Sequence, residues 1–280
     1  NGTATNAVQA KVTDANGNVV PNVAVSFSAN NGATVTTASA ITNESGLATT
    51  TLSNTTSGVT NVVAAINGTS QNVNTNFTPD GSTATIVKGD LQVTQNDATA
   101  NGSDTNAVQA KVTDANGNVV PNATVTFSAN HGATVTTESV TTNPQGLAST
   151  TLTNTQSGTT QVTATVNSHS QQVDTNFVAD GSTATITKAN LVVTSDNAKA
   201  DGHATNAVQA KVTDANGNLV PNAVVSFTAD NGATIVNASV TTGSDGLAST
   251  TLTNIQTGIA KVTATINGNS QTLDTTNLAD

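Results

Sequence analysis

Apolar and polar residues alternate along short stretches of this chain, and the alternation predicts β-strands. In residues 107–113, Val108, Ala110 and Val112 fall on one face, while Gln109 and the other polar side chains fall on the opposite face. A period of two residues is typical of a strand that buries one face. No window of 11 to 18 residues shows a sustained period of 3.6, so almost no α-helix is expected.

The same period recurs throughout residues 84–177, where turn signals separate the predicted strands. Asn116-Gly117 predicts a type I′ hairpin turn, Gly146 and Gly158 mark further turns, and Pro121 is expected at a strand start or on a sheet edge. The residues predicted to point inward are Ala84, Ile86, Leu91, Val93, Ala123, Val125, Phe127, Ala129, Ala133, Val135, Ala148, Thr150, Leu152, Val162, Ala164, Val166, Val173, Thr175 and Phe177. About seven or eight short strands of this kind predict an all-β fold, an antiparallel β-sandwich of immunoglobulin-like size.

An internal repeat sets the number of sandwiches. The segment NAVQAKVTDANGN begins at Asn6, Asn106 and Asn206, which gives a period of 100 residues. This period is too long for a solenoid unit and close to the size of a self-sufficient domain. We therefore predict three tandem domains, the first unit (1–80), the second unit (81–180) and the third unit (181–280), in an elongated rod of roughly 100 Å. The junctions at 80–83 and 180–183 are too short for much independent motion.

Two departures from the repeat carry expectations of their own. The first unit lacks the leading strand that residues 84–94 supply to the second. We expect the native chain to continue upstream. Unless those preceding residues are restored, we expect the first unit to be the least stable, because a neighbouring strand keeps an unpaired edge. Phe77 and Phe177 align with Asn277, so either the register shifts by one residue there or the final strand packs less apolar area.

Composition excludes several classes of protein. Only 9% of residues are charged and the net charge is −10. So polar a chain could be disordered, but the regular alternation of Val, Ile and Thr argues against disorder. Without Arg or a basic patch, nucleic acid is not an expected partner. No apolar run of about 18 residues exists, so we expect a soluble segment without membrane contact. The absence of Cys fits both a cytosolic protein and an exported one that depends on its cores.

Taken together, the segments DGSTATI, NAVQAKVTDANGN, VPNATVTFSAN, GLASTTLT and VTATVN resemble the group 1 bacterial immunoglobulin-like domain of the intimin and invasin family. The resemblance covers the whole chain in three copies. It implies an extracellular stalk segment of an inverse autotransporter adhesin, anchored in the outer membrane of a Gram-negative bacterium by a β-barrel and often carrying a binding domain at its far end. Export through a narrow barrel would also suit a chain without disulfides.

Candidate catalytic and metal-binding residues are few. His131, His169 and His203 each align with other residue types in the other units, and we interpret them as solvated loop histidines, since none has a partner at ligand or general-base spacing. Asp14, Asn16 and Asn18 spell a pattern that resembles a calcium loop. A hairpin turn is favoured over calcium, because the glycine comes too early in the loop and Val25 occupies the twelfth position.

Three further sets of polar residues are weaker candidates for chemistry. The junction residues Asp80, Asp90 and Asp97 could chelate a cation between domains, but they form a weak ligand set because Asn190 and Asn197 replace two of them in the next repeat. Lysines at equivalent positions could form an isopeptide cross-link, but alternation sends them to solvent. Threonine pairs could bind ice or a glycan, although exposed strands favour threonine anyway. The lysines are Lys11, Lys111 and Lys211, and the threonines are Thr163, Thr165, Thr263 and Thr265.

The function that these observations favour is structural. Near-identical units without a divergent loop suit a monomeric spacer that projects a distal binding domain for adhesion to host cells or for biofilm formation, and any host receptor or glycan would then be bound outside this segment. The alternative is that the Ig-like domains themselves bind a host protein, a glycan or a neighbouring adhesin, which a distinctive apolar or charged patch on one repeat would favour. No catalytic, cofactor-binding or metal-binding residue is predicted, so neither an enzyme nor a cofactor is expected.

Overall fold

The computed structural model describes residues 1–279, which form β-strands and short 3₁₀ turns. The strands of the first unit are β1 (Thr5–Lys11), β2 (Ala24–Ala29), β3 (Thr34–Val35), β4 (Ser39–Ile41), β5 (Leu47–Ser53), β6 (Gly58–Ile66) and β7 (Thr69–Phe77). The second unit comprises a 3₁₀ turn (Gly81–Thr83), β8 (Leu91–Gln95), β9 (Ala98–Thr99), β10 (Asn106–Lys111), β11 (Thr124–Ala129), β12 (Thr134–Val135), β13 (Ser139–Thr141), β14 (Leu147–Thr153), β15 (Gly158–Val166) and β16 (His169–Val178). The third unit comprises 3₁₀ turns (Gly181–Thr183 and Lys188–Asn190), β17 (Leu191–Ser195), β18 (Ala198–Lys199), β19 (Asn206–Lys211), β20 (Val224–Ala229), β21 (Thr234–Ile235), β22 (Ser239–Thr241), β23 (Leu247–Thr253), β24 (Gly258–Ile266) and β25 (Asn269–Leu278).

Each complete unit is a sandwich of two sheets. In the second unit a sheet of order β12-β14-β10-β8 packs on a sheet of order β13-β11-β15-β16-β9, and the third unit repeats both orders. Pairing is antiparallel except at β9 with β16 and at β18 with β25, which are parallel. The all-β, immunoglobulin-like prediction is confirmed, and the parallel pairs escaped it because strands of two residues carry no measurable period.

The predicted inward face is the core. In the second unit Ile86, Val108, Phe127, Leu152 and Phe177 are at most 3% exposed and belong to one apolar cluster with residues from both sheets. The remaining predicted inward residues are buried or partly buried as well. The third unit has an equivalent cluster of its own. Alternation therefore identified the buried face without any knowledge of which strands pair.

The turn at Asn116-Gly117 differs from the prediction. Within residues 114–118 only Gly117 has a positive φ, of 83°, whereas a type I′ turn needs two such residues. The Gly117 N–H donates to the Asp114 carbonyl at 3.0 Å, and glycine at the fourth position is usual for a type I turn. Two consecutive positive φ values occur instead at Asn67 and Gly68, 48° and 77°, between β6 and β7. The type I′ prediction was wrong because the side chain of Asp114 organises its turn, as described below.

The first unit is an open version of the same sandwich. Its sheets have the orders β1-β5-β3 and β4-β2-β6-β7. No strand of residues 1–279 therefore pairs with the edge of β1 that corresponds to the edge of β10 on which β8 pairs. Its buried apolar cluster is limited to Val25, Phe27, Ala48, Leu52 and Val62. The expected unpaired edge is therefore present.

At the far end, the register does not shift. Gly258 pairs with Asn277 just as Gly158 pairs with Phe177. Asn277 is 2% exposed while Leu278 is 48% exposed. The second of the two alternatives is thus correct: the final strand buries an amide where the second unit buries a phenyl ring. None of the described residues lies in a helix long and apolar enough to cross a membrane.

Candidate functional site

The residues first considered for chemistry are dispersed. All three histidines are exposed, and His131 Nε2 lies 3.1 Å from the Ser157 carbonyl. Within residues 1–279 no three His, Cys, Asp or Glu side chains are grouped so as to hold a metal ion. Lys11, Lys111 and Lys211 lie on the solvent face, as alternation predicts.

The threonine pairs and the junction carboxylates engage in local contacts. Thr165 Oγ1 lies 2.8 Å from Ser170 Oγ across the β15–β16 pair, and Thr265 does the same with Ser270. The Asp80 carboxylate accepts from the Ser82 N–H and hydroxyl at 3.1 and 2.6 Å. It caps the 3₁₀ turn at Gly81–Thr83. Asp97 accepts from Asn176 Nδ2 at 3.0 Å, so these carboxylates do not converge.

The feature that the structure brings together is the loop 114–118, which we call the second Asp-Asn loop, with 14–18 and 214–218 as the first and third. In the second loop Asp114 is 4% exposed. It accepts hydrogen bonds at 2.9 Å from the backbone N–H groups of Asn116 and Asn118 and from Asn118 Nδ2. These bonds fold the loop and explain why Asp and Asn alternate in it.

The same carboxylate also binds the junction between units. The Asp80 N–H donates to Asp114 Oδ2 at 3.0 Å, and the Ala115 N–H donates to Thr83 Oγ1 at 3.1 Å. Asp180 and Thr183 make the equivalent bonds to the third loop at 3.0 and 3.2 Å. The short connector is therefore fastened to the unit that follows it.

Asn118 carries the contact across to the preceding unit. Its side chain accepts from the Ser57 N–H at 2.8 Å and donates to the Thr55 carbonyl at 2.8 Å. Residues 55 and 57 lie in the β5–β6 connection of the first unit. Because the amide uses both its donor and its acceptor on backbone groups, it fixes distance and orientation together.

The second joint repeats this arrangement. Asn218 accepts from the Ser157 N–H at 2.9 Å and donates to the Thr155 carbonyl at 2.9 Å. Asn216 adds a bond from its Nδ2 to the Ala100 carbonyl at 3.0 Å. We define the first joint as the contact of loop 114–118 with residues 55–57 and 80–83, and the second joint as its equivalent one hundred residues later.

The first Asp-Asn loop is an internal comparison, because its sequence is identical and all five of its residues are exposed. Asp14 accepts the same bonds from Asn16 and Asn18 at 2.9 Å. Both Asp14 and Asn18 are exposed, while Asp114 and Asp214 are buried. The loop therefore folds in all three units, and its aspartate is buried in the two units where the connector and the preceding unit contact the loop.

Electrostatics at the loops follow from these bonds. Burial raises the pKa of Asp114, but hydrogen bonds from Asn118 and from the backbone N–H groups of Asp80 and Asn116 outweigh burial and hold the pKa below its ordinary value. The pKa of Asp14 is lowered mainly by the side-chain hydrogen bond from Asn18. The carboxylates are thus held in the ionised form that accepts the bonds.

Sequence reasoning placed these residues in a turn but missed their role in the joints. The signal available was the identity of the segment in all three units, which hairpin formation alone does not require. Alternation could not predict the hydrogen-bond partner of Asn118, because Ser57 is 61 residues away in the sequence.

Comparisons with known proteins agree with this architecture. The model of the family described as bacterial Ig-like domain (group 1) matches residues 1–78, 88–178 and 188–278. Among curated proteins, the inverse autotransporter adhesin YeeJ of Escherichia coli (strain K12) is 34% identical over 162 residues, which are 58% of this chain. The matched part is only 7% of the length of that relative.

Solved structures share the fold. Invasin, a bacterial integrin-binding protein, matches 100% of this chain over 57% of its own with 23% identity and a TM-score of 0.56. The Escherichia coli adhesin FdeC matches 98% of this chain over 92% of its own with 21% identity and a TM-score of 0.63. InvD of Yersinia pseudotuberculosis gives the same coverages, with 17% identity and a TM-score of 0.65.

Proposed function

This chain belongs to the family of bacterial Ig-like domains (group 1), and from that premise we propose that it is a stalk segment of a bacterial surface adhesin. In this role its units, with boundaries near residues 80 and 180, provide length and stiffness. A binding domain elsewhere in the protein contacts the host cell or another bacterium. The segment then lies outside the cell and is held at the outer membrane of a Gram-negative bacterium by a part of the protein beyond these residues.

The observation that carries the proposal is the repetition of the joint. The same side chains at both joints bind the same backbone groups, with distances that agree within 0.1 Å: 2.8 and 2.8 Å at the first and 2.9 and 2.9 Å at the second. A flexible string of domains needs no such bonds, because linker length alone sets its reach. Repeated bidentate contacts favour a stiff spacer whose reach grows by a constant step with each unit.

The adhesin role is supported by the relatives. YeeJ is an inverse autotransporter adhesin, and it is similar in sequence over more than half of this chain. Adhesion by the whole protein is a proposal, since the matched residues represent 7% of that relative.

The stiffness can be tested with the double variant Asn118→Ala/Asn218→Ala. Small-angle scattering of the wild-type chain is expected to give a maximum dimension of about 100 Å, from strand lengths at about 3.3 Å per residue. The variant loses four of the bonds across the joints, and we expect a broader distance distribution with more bent conformations.

Asn18→Ala is the matched control. It removes the same bond within the loop, from Asn18 Nδ2 to Asp14 at 2.9 Å, but no bond across a joint. Its scattering should equal that of the wild type. A wild-type maximum dimension close to that of one compact globule, or a double variant as extended and narrow in distribution as the control, would contradict the spacer proposal.

The alternative, direct binding by the Ig-like units, has one observation in its favour. The third unit exposes Ile255 and Ile259 at 76% and 60%, where the second unit has Thr155 and Thr159. Exposed aliphatic residues in place of threonine are the kind of difference that a binding surface needs. Binding of the chain to host cells and glycans that is lost in Ile255→Thr/Ile259→Thr would favour this function over the spacer.

A further inference from the structure

Tension along the rod enters each complete unit through one segment and leaves through another. In the second unit the chain enters along residues 84–100, which we call the entry segment, and leaves along β16. The entry segment follows the first joint and reaches the second, where the Ala100 carbonyl accepts from Asn216 Nδ2 at 3.0 Å. β16 ends two residues before Asp180, whose N–H is bonded within the second joint. The two segments therefore carry any load that passes from joint to joint.

The two segments run in the same direction and contact each other near the second joint. In that contact β9, which belongs to the entry segment, pairs in parallel with the end of β16. In the third unit β18 pairs in parallel with the end of β25. Tension pulls the entry segment toward the preceding unit and β16 toward the following one, so these parallel strands are pulled from opposite ends and must slide past each other. Because the bonds of a parallel pair are evenly spaced, sliding loads them together instead of opening them one at a time.

Several hydrogen bonds hold the contact in the second unit. The Asp97 N–H donates to the Asn176 carbonyl at 3.0 Å. The Ala100 N–H donates to the Val178 carbonyl at 2.7 Å. From the entry segment, Asn96 Oδ1 accepts from the Asn176 N–H at 2.8 Å. Backbone and side-chain bonds thus connect the two segments over the same few residues.

A buried asparagine ties this contact to the opposite sheet. Asn106 lies on β10 and is 0% exposed. Its Oδ1 accepts from the Ala98 N–H at 2.9 Å, and its Nδ2 donates to the Asn176 carbonyl at 2.8 Å. Asn206 makes the equivalent bonds in the third unit at 2.9 and 3.0 Å. Because one amide bonds to both segments, they cannot slide apart while its bonds are intact.

We propose that residues 96–100 with 174–178, and 196–200 with 274–278, are mechanical clamps that keep the second and third units folded when the rod is pulled along its length. The further function is tensile strength, which matters wherever the two ends of the rod are attached to bodies that move apart. It goes beyond the spacer function, because stiffness depends on the joints between units whereas each clamp acts within one unit. Unfolding under force is governed by the unfolding rate, so the clamps act by slowing that step.

Single-molecule pulling of the full chain at constant force, through its two ends, tests the proposal. The unfolding steps of the second and third units are recognised by their greater length, since the first unit has fewer residues. In Asn106→Ala/Asn206→Ala these longer steps should occur about tenfold or more faster than in the wild type, because bonds that break before the transition state is reached control the unfolding rate.

Thr142→Ala/Thr242→Ala is the matched control. Thr142 is 3% exposed, accepts from the Ala123 N–H at 2.8 Å and donates to the Val120 carbonyl at 2.7 Å. Thr242 makes the equivalent bonds at 2.9 and 2.7 Å. These changes also leave one buried donor and one acceptor unpaired per unit, but outside the two loaded segments. The control should unfold under force at the wild-type rate, although urea should unfold both double variants more readily than the wild type.

A milder pair of changes decides the question if Asn106→Ala/Asn206→Ala prevents folding. Asn96 and Asp196 are exposed, and each accepts the backbone N–H of the residue at 176 or 276, at 2.8 and 2.7 Å. Asn96→Ala/Asp196→Ala should accelerate the longer steps roughly fivefold. Equal acceleration by the threonine control and the clamp variants, or wild-type rates under force in the clamp variants, would overturn the proposal.

Discussion

At the scale of single residues, the buried side chains divide into those that pack and those that bond. Asp114, 4% exposed, is stabilised in the ionised form by four groups that donate to it. Asn277 is 2% exposed, and its Oδ1 atom has no hydrogen-bond partner. Both are buried polar side chains, but the acceptor oxygen of Asn277 has no hydrogen-bond partner.

Asn277→Phe is expected to stabilise the third unit by about 1–3 kcal/mol, because it removes an unsatisfied buried acceptor and adds apolar area. Phe177→Asn is the matched reverse change and should destabilise the second unit by a similar amount or more. Chemical denaturation that follows each unit separately measures both. A destabilised Asn277→Phe variant would show that the third unit has no room for the ring.

The carboxylate at the first joint predicts a pH dependence. The pKa of Asp114 is lower in the folded chain than its ordinary value of 3.8. A depressed pKa means that the bonds are fully present above the unfolded pKa and are lost as the pH falls through the folded value. We therefore expect an ordered first joint at neutral and mildly acidic pH, and a flexible one only below pH 3.8.

Small-angle scattering along a pH series measures this change. Asp114→Asn imitates the protonated side chain and should give the flexible joint already at neutral pH. Asp14→Asn, at the loop that no unit contacts, should change nothing in the scattering. A joint that loosens near neutral pH would contradict the assignment to Asp114.

At the scale of elements, the turns depend both on the local sequence and on the residues packed around them. Gly146 has a φ of 74°, and a Cβ atom added to it would lie 2.8 Å from the Val112 carbonyl oxygen. The glycine is therefore required both for the turn before β14 and for the close approach of the chain after β10. Gly117 also has a positive φ, of 83°, but has open space around it.

Gly146→Ala and Gly117→Ala separate these two effects. Gly117→Ala should cost about 1–2 kcal/mol for the left-handed conformation alone. Gly146→Ala should cost a further 1–3 kcal/mol, because the backbone of Val112 must move. Thermal unfolding of the two variants measures the difference, and equal costs would mean that the turn relaxes freely.

The unpaired edge of β1 predicts unequal stability of the units. Unless preceding residues are restored, we expect the first unit to unfold at the lowest temperature, because its core has no counterparts of Ala84, Ile86 and Leu91. Leu52→Ala, Leu152→Ala and Leu252→Ala are matched variants of residues that are all fully buried. Each should destabilise its own unit by about 2–5 kcal/mol.

Calorimetry of the three variants then assigns each transition to a unit. The lowest transition of the wild type should be the one that Leu52→Ala shifts. Coincident melting of all three units, or a lowest transition that responds to Leu252→Ala, would contradict the expectation.

At the scale of the whole molecule, the units are related by the joints. At both joints an asparagine side chain accepts a hydrogen bond from a backbone N–H of the preceding unit, 61 residues earlier in the sequence. Since both neighbours of each joint are themselves stabilised by separate cores, the joint is free to set orientation without holding any fold together. This separation is what a spacer of variable length requires, and it is why the double asparagine variant should bend the molecule without unfolding it.

The amino-acid sequence by itself determined the number of repeats, the all-β fold class and the inward face of nearly every strand. These features are local. Side chains alternate with a period of two, so Val108 and Ala110 lie on the same face of their strand whichever strand pairs with it. Only the tertiary structure decided that the Asp-Asn loop forms the joint and that Asn277 keeps the register while buried. Each of these depends on residues distant in the sequence, and their contact energies appear only once the two sheets and the neighbouring units are placed in space.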